Sequence, residues 1–221
     1  MATFHTFDEA LTDPKGCVEL YLDGGEWHPE VKTLPNLKAL FFEGGETPAP
    51  EYFALPVEKV SFRRTKLDLK VIAKALKAMP KLKGVDFDFE TVKQFPKFLL
   101  EMPHLEELEL FSKISGLPEG FEKFTRLRRF IGNGFKPKPE GLAVLCELKT
   151  LEDLELQDAF LKDAPKELFT LPRLKRLSLS RCPELTAQHF QPLQGHPSLA
   201  WVGIDAKAKL QREVSALLGL A

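Results

Sequence analysis

The chain has few cysteines, no long apolar run and no excess of charge of either sign. Its 221 residues include three cysteines and no CxxC pair, which argues against a disulfide framework or a zinc site and fits a reducing cytoplasm. No stretch approaches the roughly 18 apolar residues of a spanning helix, and the N-terminus lacks the basic and apolar regions of a signal peptide. We therefore expect a soluble cytoplasmic protein.

The charge balance excludes further classes of partner. With 31 Lys and Arg residues against 32 Asp and Glu residues, the formal net charge is -1. No bulk positive field attracts phosphate backbones or anionic lipid. We predict that the protein binds neither nucleic acid nor membranes.

Motifs of catalysis and of cofactor binding are missing as well. The five histidines form no HxxxH or HExxH pattern, and the Gly24-Gly25 and Gly44-Gly45 pairs lack the lysine of a phosphate-binding loop. The cysteines occupy apolar or repeat positions and are interpreted as structural thiols. The sequence therefore predicts no enzyme activity, no metal site and no cofactor.

What the chain does contain is a repeat. A six-residue frame, apolar-x-x-apolar-x-apolar, recurs 20–25 residues apart, and 26 of its 27 apolar positions are filled. The exception is Gly132. Proline often stands two residues before the frame, where it costs no sheet hydrogen bond. The nine copies begin at Cys17, Leu37, Val57, Leu82, Leu105, Leu127, Leu151, Leu174 and Leu199.

This period and pattern resemble leucine-rich repeat proteins, and the match covers about residues 17–204. Residues 117–121, with the sequence LPEGF, resemble bacterial members of that family. The resemblance implies an α/β fold: a curved horseshoe-shaped solenoid of about nine repeats, with a parallel sheet on the concave face and short helices or turns on the convex face. Only Cys182 matches the Asn or Cys that the family places at frame position 9.

The segments between the frames predict the convex side and the ends of the solenoid. Apolar spacing predicts helical stripes over residues 68–79 and 141–148, and single turns over residues 95–100 and 119–124. Thr6 and Glu9 form a capping box at the start of a short helix. An amphipathic segment follows the last repeat. We expect one domain, with an N-terminal cap over 1–16, repeats over 17–204 and a C-terminal helical cap over 205–221.

Charged residues alternate in sign at frame positions 2 and 3 of four successive repeats. Because parallel strands lie about 4.8 Å apart, these side chains can pair laterally and fix the register. A structural charge ladder and a recognised surface both remain open as interpretations. The pairs are Glu106-Glu107, Arg128-Arg129, Glu152-Asp153 and Lys175-Arg176.

The strand positions that face away from the core supply the candidate binding site. We expect the strand to direct frame positions 2, 3, 5, 7 and 8 to the concave face, where apolar side chains stand among charged ones. Protein interfaces favour such aromatic anchors. We expect Asp86 and Glu109 to be exposed, and Val85 and Leu108 to be buried. The candidate residues are Tyr21, Phe41, Arg63, Asp86, Asp88, Glu109, Phe111, Ile131, Glu155 and Trp201.

These residues and the resemblance predict a non-enzymatic module that binds a protein or peptide on its concave face. The alternative is a regulatory or scaffolding subunit of a separate enzyme, such as a phosphatase or a signalling GTPase. We expect a monomer, with a homodimer as the other possibility.

Overall fold

The computed structural model describes most of the chain: residues 2–4, 6–88, 94–112, 114, 116–134, 142–157, 161, 166–182, 184–204 and 208–220. The chain forms two compact units, Met1–Phe89 and Glu90–Ala221. Within the described residues, no helix is long and apolar enough to cross a membrane.

The first unit contains a sheet of parallel strands that follow one another in chain order. Each strand after the first begins inside one copy of the frame, and the apolar frame positions pair across the sheet, for example Leu20 with Leu40 and Leu40 with Val60. The strands are β1 (Ala2–Phe4), β2 (Cys17–Asp23), β3 (Ala39–Glu43), β4 (Lys59–Arg63) and β5 (Gly84–Asp88).

The second unit repeats this arrangement. Leu108 pairs with Phe130, which pairs with Leu154, so the same frame position stays in register from strand to strand. The strands are β6 (Glu107–Phe111), β7 (Arg129–Asn133), β8 (Asp153–Gln157), β9 (Arg176–Ser180) and β10 (Trp201–Gly203). All nine strands predicted from the frame are present.

The core of each unit consists of the apolar frame positions. Val85 and Leu108 are fully buried, as predicted. In the first unit, frame position 6 forms a ladder of phenylalanine rings, in which Phe62 lies 5.7 Å from Phe42 and 5.3 Å from Phe87 between ring centroids. Burying such large side chains against neighbouring repeats drives the stacking of the coils.

Short segments return the chain from one strand to the next. The predicted helix appears as α2 (Leu69–Ala78), whose first turn is capped by the Asp68 carboxylate. The other described returns contain 3-10 turns. They span Pro29–Thr33, Pro50–Ala54, Lys97–Glu101, Phe121–Lys123, Val144–Glu147, Lys166–Thr170 and Ala187–Leu193.

The spacing of three leucines predicts a helical stripe over residues 141–148. The described part is helical from residue 142 and continues as a 3-10 turn over Val144–Glu147. Leu145 and Cys146 are still buried, because a 3-10 turn also places its apolar side chains on one side. Residue 141 lies outside the described residues.

Both predicted terminal helices are present. The first is α1 (Phe7–Thr12), in which the Thr6 hydroxyl accepts a hydrogen bond from the Glu9 amide. The second is α3 (Ala208–Leu218), which buries Leu210 and Val214. The sequence did not predict β1, a short strand that pairs with β2. The sequence of β1 does not contain the six-residue frame, so the repeat gave no signal for this strand.

Candidate functional site

The side chains at frame positions 3, 5 and 7 form what we call the open sheet face of each unit. Positions 4 and 6 point the other way, into the core beneath the return segments, because side chains alternate along a strand. The candidate residues divide between the units. Tyr21, Phe41, Arg63, Asp86 and Asp88 lie in the first unit, and Glu109, Phe111, Ile131, Glu155 and Trp201 in the second.

In the first unit, two candidate aromatics lie on neighbouring strands and stack on each other. The rings of Tyr21 and Phe41 are nearly parallel, with centroids 4.3 Å apart. This contact leaves Phe41 buried and Tyr21 half-buried. Each ring therefore covers apolar surface of the other, which reduces the area that a partner could contact.

Asp86 is not exposed, and that prediction is wrong. The side chain is 1% exposed, and its Oδ2 accepts hydrogen bonds from Ser61 Oγ at 2.7 Å and from Arg63 at 3.2 Å. The long Arg63 side chain approaches it from the adjacent strand. A buried carboxylate is tolerated here because a hydroxyl and a guanidinium compensate for the lost water.

In the second unit, the exposure predicted for Glu109 is also wrong, since this side chain is 7% exposed. Arg129, on the next strand, lies 3.9 Å away. Ile131 points to the same face but is 5% exposed, because its strand lies between two others. Phe111 and Glu155 remain half-buried.

The predicted charge ladder forms in the second unit. Glu152 accepts hydrogen bonds from Arg128 at 3.0 Å and from Lys175 at 2.6 Å, so one carboxylate joins the residues that directly precede three successive strands. These bonds hold the pKa of Glu152 at about 2, first through Arg128 and then through Lys175. The same contact raises the pKa of Arg128.

The ladder has a second rung at frame position 3. Asp153 lies 3.8 Å from Arg129 and 3.8 Å from Arg176. Its pKa is nevertheless raised, because desolvation by burial outweighs the two arginines that lower it. Arg176 therefore lies near Asp153 of β8 on one side and next to β10 on the other.

Trp201 is the most exposed of the candidate residues. It is 40% exposed, and the guanidinium carbon of Arg176 lies 4.6 Å from the centre of its ring. The ring occupies the space above Gly203, where an added Cβ would lie only 2.1 Å from Trp201 Cη2. Because Gly203 has no side chain, the indole can pack against the backbone of the sheet at that position. The Arg176 guanidinium adds a cation-π contact.

Beside this indole the face has a depression of about 350 Å³. It lies entirely in the second unit, between the ends of the last strands and α3. Small side chains at frame positions 5 and 7 of the last repeats leave the space. The lining residues are Gln157, Ser178, Ser180, Arg181, Trp201, Gly203, Ile204 and Gln211.

Sequence reasoning found the indole but missed the depression around it. Ser178 and Gly203 occupy frame position 5, where most earlier repeats carry larger side chains such as Phe41 and Ile131, with Ser61 as an exception. Two small side chains in succession at this position are the signal that the sequence offers. The contribution of α3 could not be found in this way, because Gln211 lies outside the repeat.

The cysteines show no sign of reactivity. All three are buried thiols outside disulfides, and burial raises the pKa of the Cys146 thiol to about 11. Within the part of the chain that the structure describes, no three His, Cys, Asp or Glu side chains group as metal ligands would.

No protein-family model and no curated protein sequence matches the chain. Solved structures do resemble it. One is the leucine-rich repeat protein LIC12759 of Leptospira interrogans, at 20% identity and a TM-score of 0.59, with 100% of this chain and 75% of that chain covered.

Chains in two complexes also match in structure. The Toll–Spatzle complex of Drosophila matches at 17% identity and a TM-score of 0.58, covering 92% of this chain and 33% of that chain. The complex of TLR13 with ssRNA13 matches at 16% identity and a TM-score of 0.55, covering 84% of this chain and 30% of that chain. This chain thus spans about a third of each of those two chains. The frame, the parallel strands and these likenesses show that the protein has the leucine-rich repeat fold.

Proposed function

We propose that the protein is a non-enzymatic interaction module whose concave face, built from the open sheet face of the second unit, binds a protein or peptide. The observation that carries this proposal is Trp201, a large aromatic side chain that is solvent-accessible yet fixed by Gly203 and Arg176. Trp and Arg are the residues most often found at the centre of protein interfaces. Because these contacts already restrict the indole, it loses little conformational freedom when a partner binds.

The accessible candidates around Trp201 support a surface of mixed chemistry. Phe111 and Glu155 are half-buried on the same face, and Ser178 and Gln157 offer hydrogen bonds. Polar groups around an aromatic anchor are the usual composition of a transient protein interface. Phe41, Asp86, Glu109 and Ile131 contribute packing under this proposal, since they are buried.

A protein partner is favoured over nucleic acid by the distribution of charge. The Toll structure is a complex with Spatzle and the TLR13 structure is a complex with RNA, so the fold accommodates both kinds of partner. In the second unit of this chain, however, Arg129 and Arg176 alternate with Glu109 and Asp153 across the strands. Binding of phosphate backbones requires a continuous basic surface, which this alternation interrupts.

The three buried thiols outside disulfides support a cytoplasmic location, because such cysteines persist where the environment is reducing. A regulatory or scaffolding subunit of a phosphatase or a GTPase would use the same face. The identity of a captured partner distinguishes this alternative from a module that binds a non-enzymatic protein.

The test is affinity capture from extract of the native source, followed by binding of the purified partner. Trp201→Ser is the test variant. Val71→Ser is the matched control, since Val71 is an apolar side chain that is 45% exposed on α2. We expect Trp201→Ser to lose the partner and Val71→Ser to keep it, with the melting temperature of each variant near that of the wild type. Equal binding by both variants would contradict the proposal.

A further inference from the structure

We infer that the outward face of α2 is a second interaction surface, which binds an acidic segment of a partner protein. This outward face is defined by Lys70, Lys74 and Lys77. It goes beyond the proposed function, since α2 belongs to the first unit and Trp201 to the second. The proposed function uses none of these lysines.

Charge is distributed unevenly along the first unit. Residues 63–83 contain eight lysine or arginine residues and one acidic residue, Asp68. Residues 1–62 contain four basic residues and eleven acidic ones. The balanced charge of the whole chain therefore conceals a strongly basic segment, and α2 lies at its centre.

Lys70, Lys74 and Lys77 lie on one face of α2, because residues three or four positions apart are neighbours on a helix. The opposite face carries Ile72 and Leu76, which are fully buried in the core. All three lysines are exposed. Packing of the apolar stripe therefore directs the ammonium groups away from the core, in a row of about 10 Å along the helix axis at 1.5 Å per residue.

The first two lysines of this row differ from other basic residues of the segment in their pairing. Neither Lys70 nor Lys74 forms an ion pair with any residue that the structure describes. Their charges are therefore not neutralised by that part of the chain. Four other basic residues of the segment are paired with carboxylates of the same unit: Arg63 with Asp86, Arg64 with Glu43, Lys66 with Glu46 and Lys83 with Glu58.

The same two lysines do not stabilise the helix that carries them. Lys70 occupies the second position of α2, where the helix dipole disfavours a positive charge. Lys70 and Lys74 are also four residues apart, and like charges at this spacing destabilise a helix. The helix start depends instead on Asp68, whose carboxylate accepts hydrogen bonds from the amides of Lys70 and Val71 at 2.9 and 3.3 Å. Carboxylates of a partner would relieve both repulsions.

The positive surface is narrow on the side of the preceding repeat. The 3-10 turn Pro50–Ala54 packs against α2 and carries the exposed Glu51 in place of a further basic residue. A bilayer or a nucleic acid duplex presents anions over a broad surface, and some of them would be repelled by Glu51. A single acidic segment that lies along α2 contacts the lysines alone.

The composition of α2 also favours a protein segment as the partner. A helix that binds a membrane inserts its apolar face into the lipid, whereas the apolar stripe of α2 is buried in the core. Single-stranded nucleic acid is bound by aromatic side chains beside basic ones, and α2 contains no aromatic residue. Aspartate and glutamate side chains of a protein are the anions that match this row.

The test uses two synthetic helical peptide amides that differ only in charge. One carries glutamates on one face, spaced as the lysines of α2 are, and the other carries glutamines at the same positions. Binding is measured by fluorescence anisotropy in low and in high salt. The variants are Lys70→Gln/Lys74→Gln and the charge-preserving Lys70→Arg/Lys74→Arg. The control is Lys15→Gln/Lys123→Gln, which removes two exposed lysines outside α2 and so changes the net charge equally.

We expect the wild type, the arginine variant and the control to bind the glutamate peptide in low salt, and high salt to weaken this binding by screening. Lys70→Gln/Lys74→Gln should weaken it about tenfold, as loss of two exposed ion pairs implies. Its melting temperature should stay the same or rise, because repulsion along α2 is relieved. The glutamine peptide should bind all of these proteins more weakly than the glutamate peptide binds the wild type.

Equal binding of the two peptides, or an equal loss of the glutamate peptide in the control variant, would overturn the inference. Tighter binding of the wild type to vesicles of phosphatidylcholine and phosphatidylserine, or to single-stranded oligothymidine, would overturn it as well if Lys70→Gln/Lys74→Gln abolished that binding. Trp201→Ser should bind the glutamate peptide as the wild type does. This result keeps the test independent of the capture experiment, which uses the second unit.

Discussion

At the scale of single residues, the repeat decides which way a side chain points, whereas its neighbours decide how much of it water reaches. The alternation predicted correctly that Asp86 and Glu109 lie on the opposite face from Val85 and Leu108. It predicted their exposure wrongly, because long arginines from adjacent strands lie across both carboxylates. Such lateral cover involves residues at least twenty positions apart, which a six-residue frame does not contain.

Leu154→Ala tests the core at this scale. The side chain is fully buried at frame position 4, between its counterparts on β7 and β9. We expect the free energy of unfolding to fall by about 2–5 kcal/mol, because the truncation leaves a cavity that close packing does not refill. Urea denaturation followed by circular dichroism measures the change. Val71→Ala is the exposed control, expected within about 0.5 kcal/mol of the wild type; a similar result for Leu154→Ala would contradict the assignment of this position to the core.

The buried thiols provide a second residue-scale prediction. The pKa of Cys146 is raised to about 11 by burial, so the native thiol stays protonated where an unfolded one, with an ordinary pKa of 9.0, ionises. Stability should therefore decline as the pH rises from about 9 toward 11. At neutral pH we expect no native thiol to react with Ellman's reagent, and all three to react in urea. Rapid labelling of the native protein would contradict the burial of these residues.

At the scale of elements, local signals determined the helices well and the turns less well. Thr6 and Asp68 cap α1 and α2 where the sequence indicates helix starts. The segment before β8, which was predicted as a helical stripe, is helical from residue 142 and continues as a 3-10 turn over Val144–Glu147. Apolar spacing over so few residues does not distinguish the two kinds of helix.

Deletion of residues 208–221 tests the role of α3. This helix packs against the 3-10 segment Ala187–Leu193, and its Gln211 covers the edge of β10. Removing it exposes apolar side chains of the last repeat, and solenoids need such a lid. We expect a lower melting temperature and self-association, measured by calorimetry and light scattering.

Gln211→Ala is the matched control for that deletion, because it opens the strand edge while α3 keeps its apolar contacts through Leu210 and Val214. Its melting temperature should lie between those of the deletion and the wild type. A deletion variant that stays monomeric with an unchanged melting temperature would show that α3 is not a lid.

At the scale of the whole molecule, charge is balanced by pairing and not by the absence of charged groups. The net charge is -1, yet Glu152 alone bridges Arg128 and Lys175, and Asp153 lies near two further arginines. Exposed pairs of this kind contribute little one by one. The sign of the charge alternates from one strand to the next. If a strand paired with the wrong neighbour, like charges would face each other, which disfavours that arrangement.

Glu152→Gln tests this ladder through its pH dependence. The pKa of Glu152 is lowered from the ordinary 4.5 to about 2 by Arg128 and Lys175, so the unfolded state takes up its proton first as the pH falls. The stabilisation is present above about pH 4.5 and is lost between there and about pH 2. We expect the wild type to exceed the variant in urea midpoint at pH 7 in low salt, and the difference to shrink across that window. A difference independent of pH and salt would show that the ion pairs do not cause it.

The sequence by itself determined the period, the strands, the apolar core, both terminal helices and the pairing of the charge ladder. Each of these follows from residue patterns within one repeat or from the same position in successive repeats. Tertiary structure decided which face residues are buried and that a depression forms beside Trp201. That depression combines small residues on β9 and β10 with a glutamine of α3 and an arginine held at positive φ. The physical reason is that accessibility depends on side chains brought together by stacking, and no pattern within a single repeat records which of them meet.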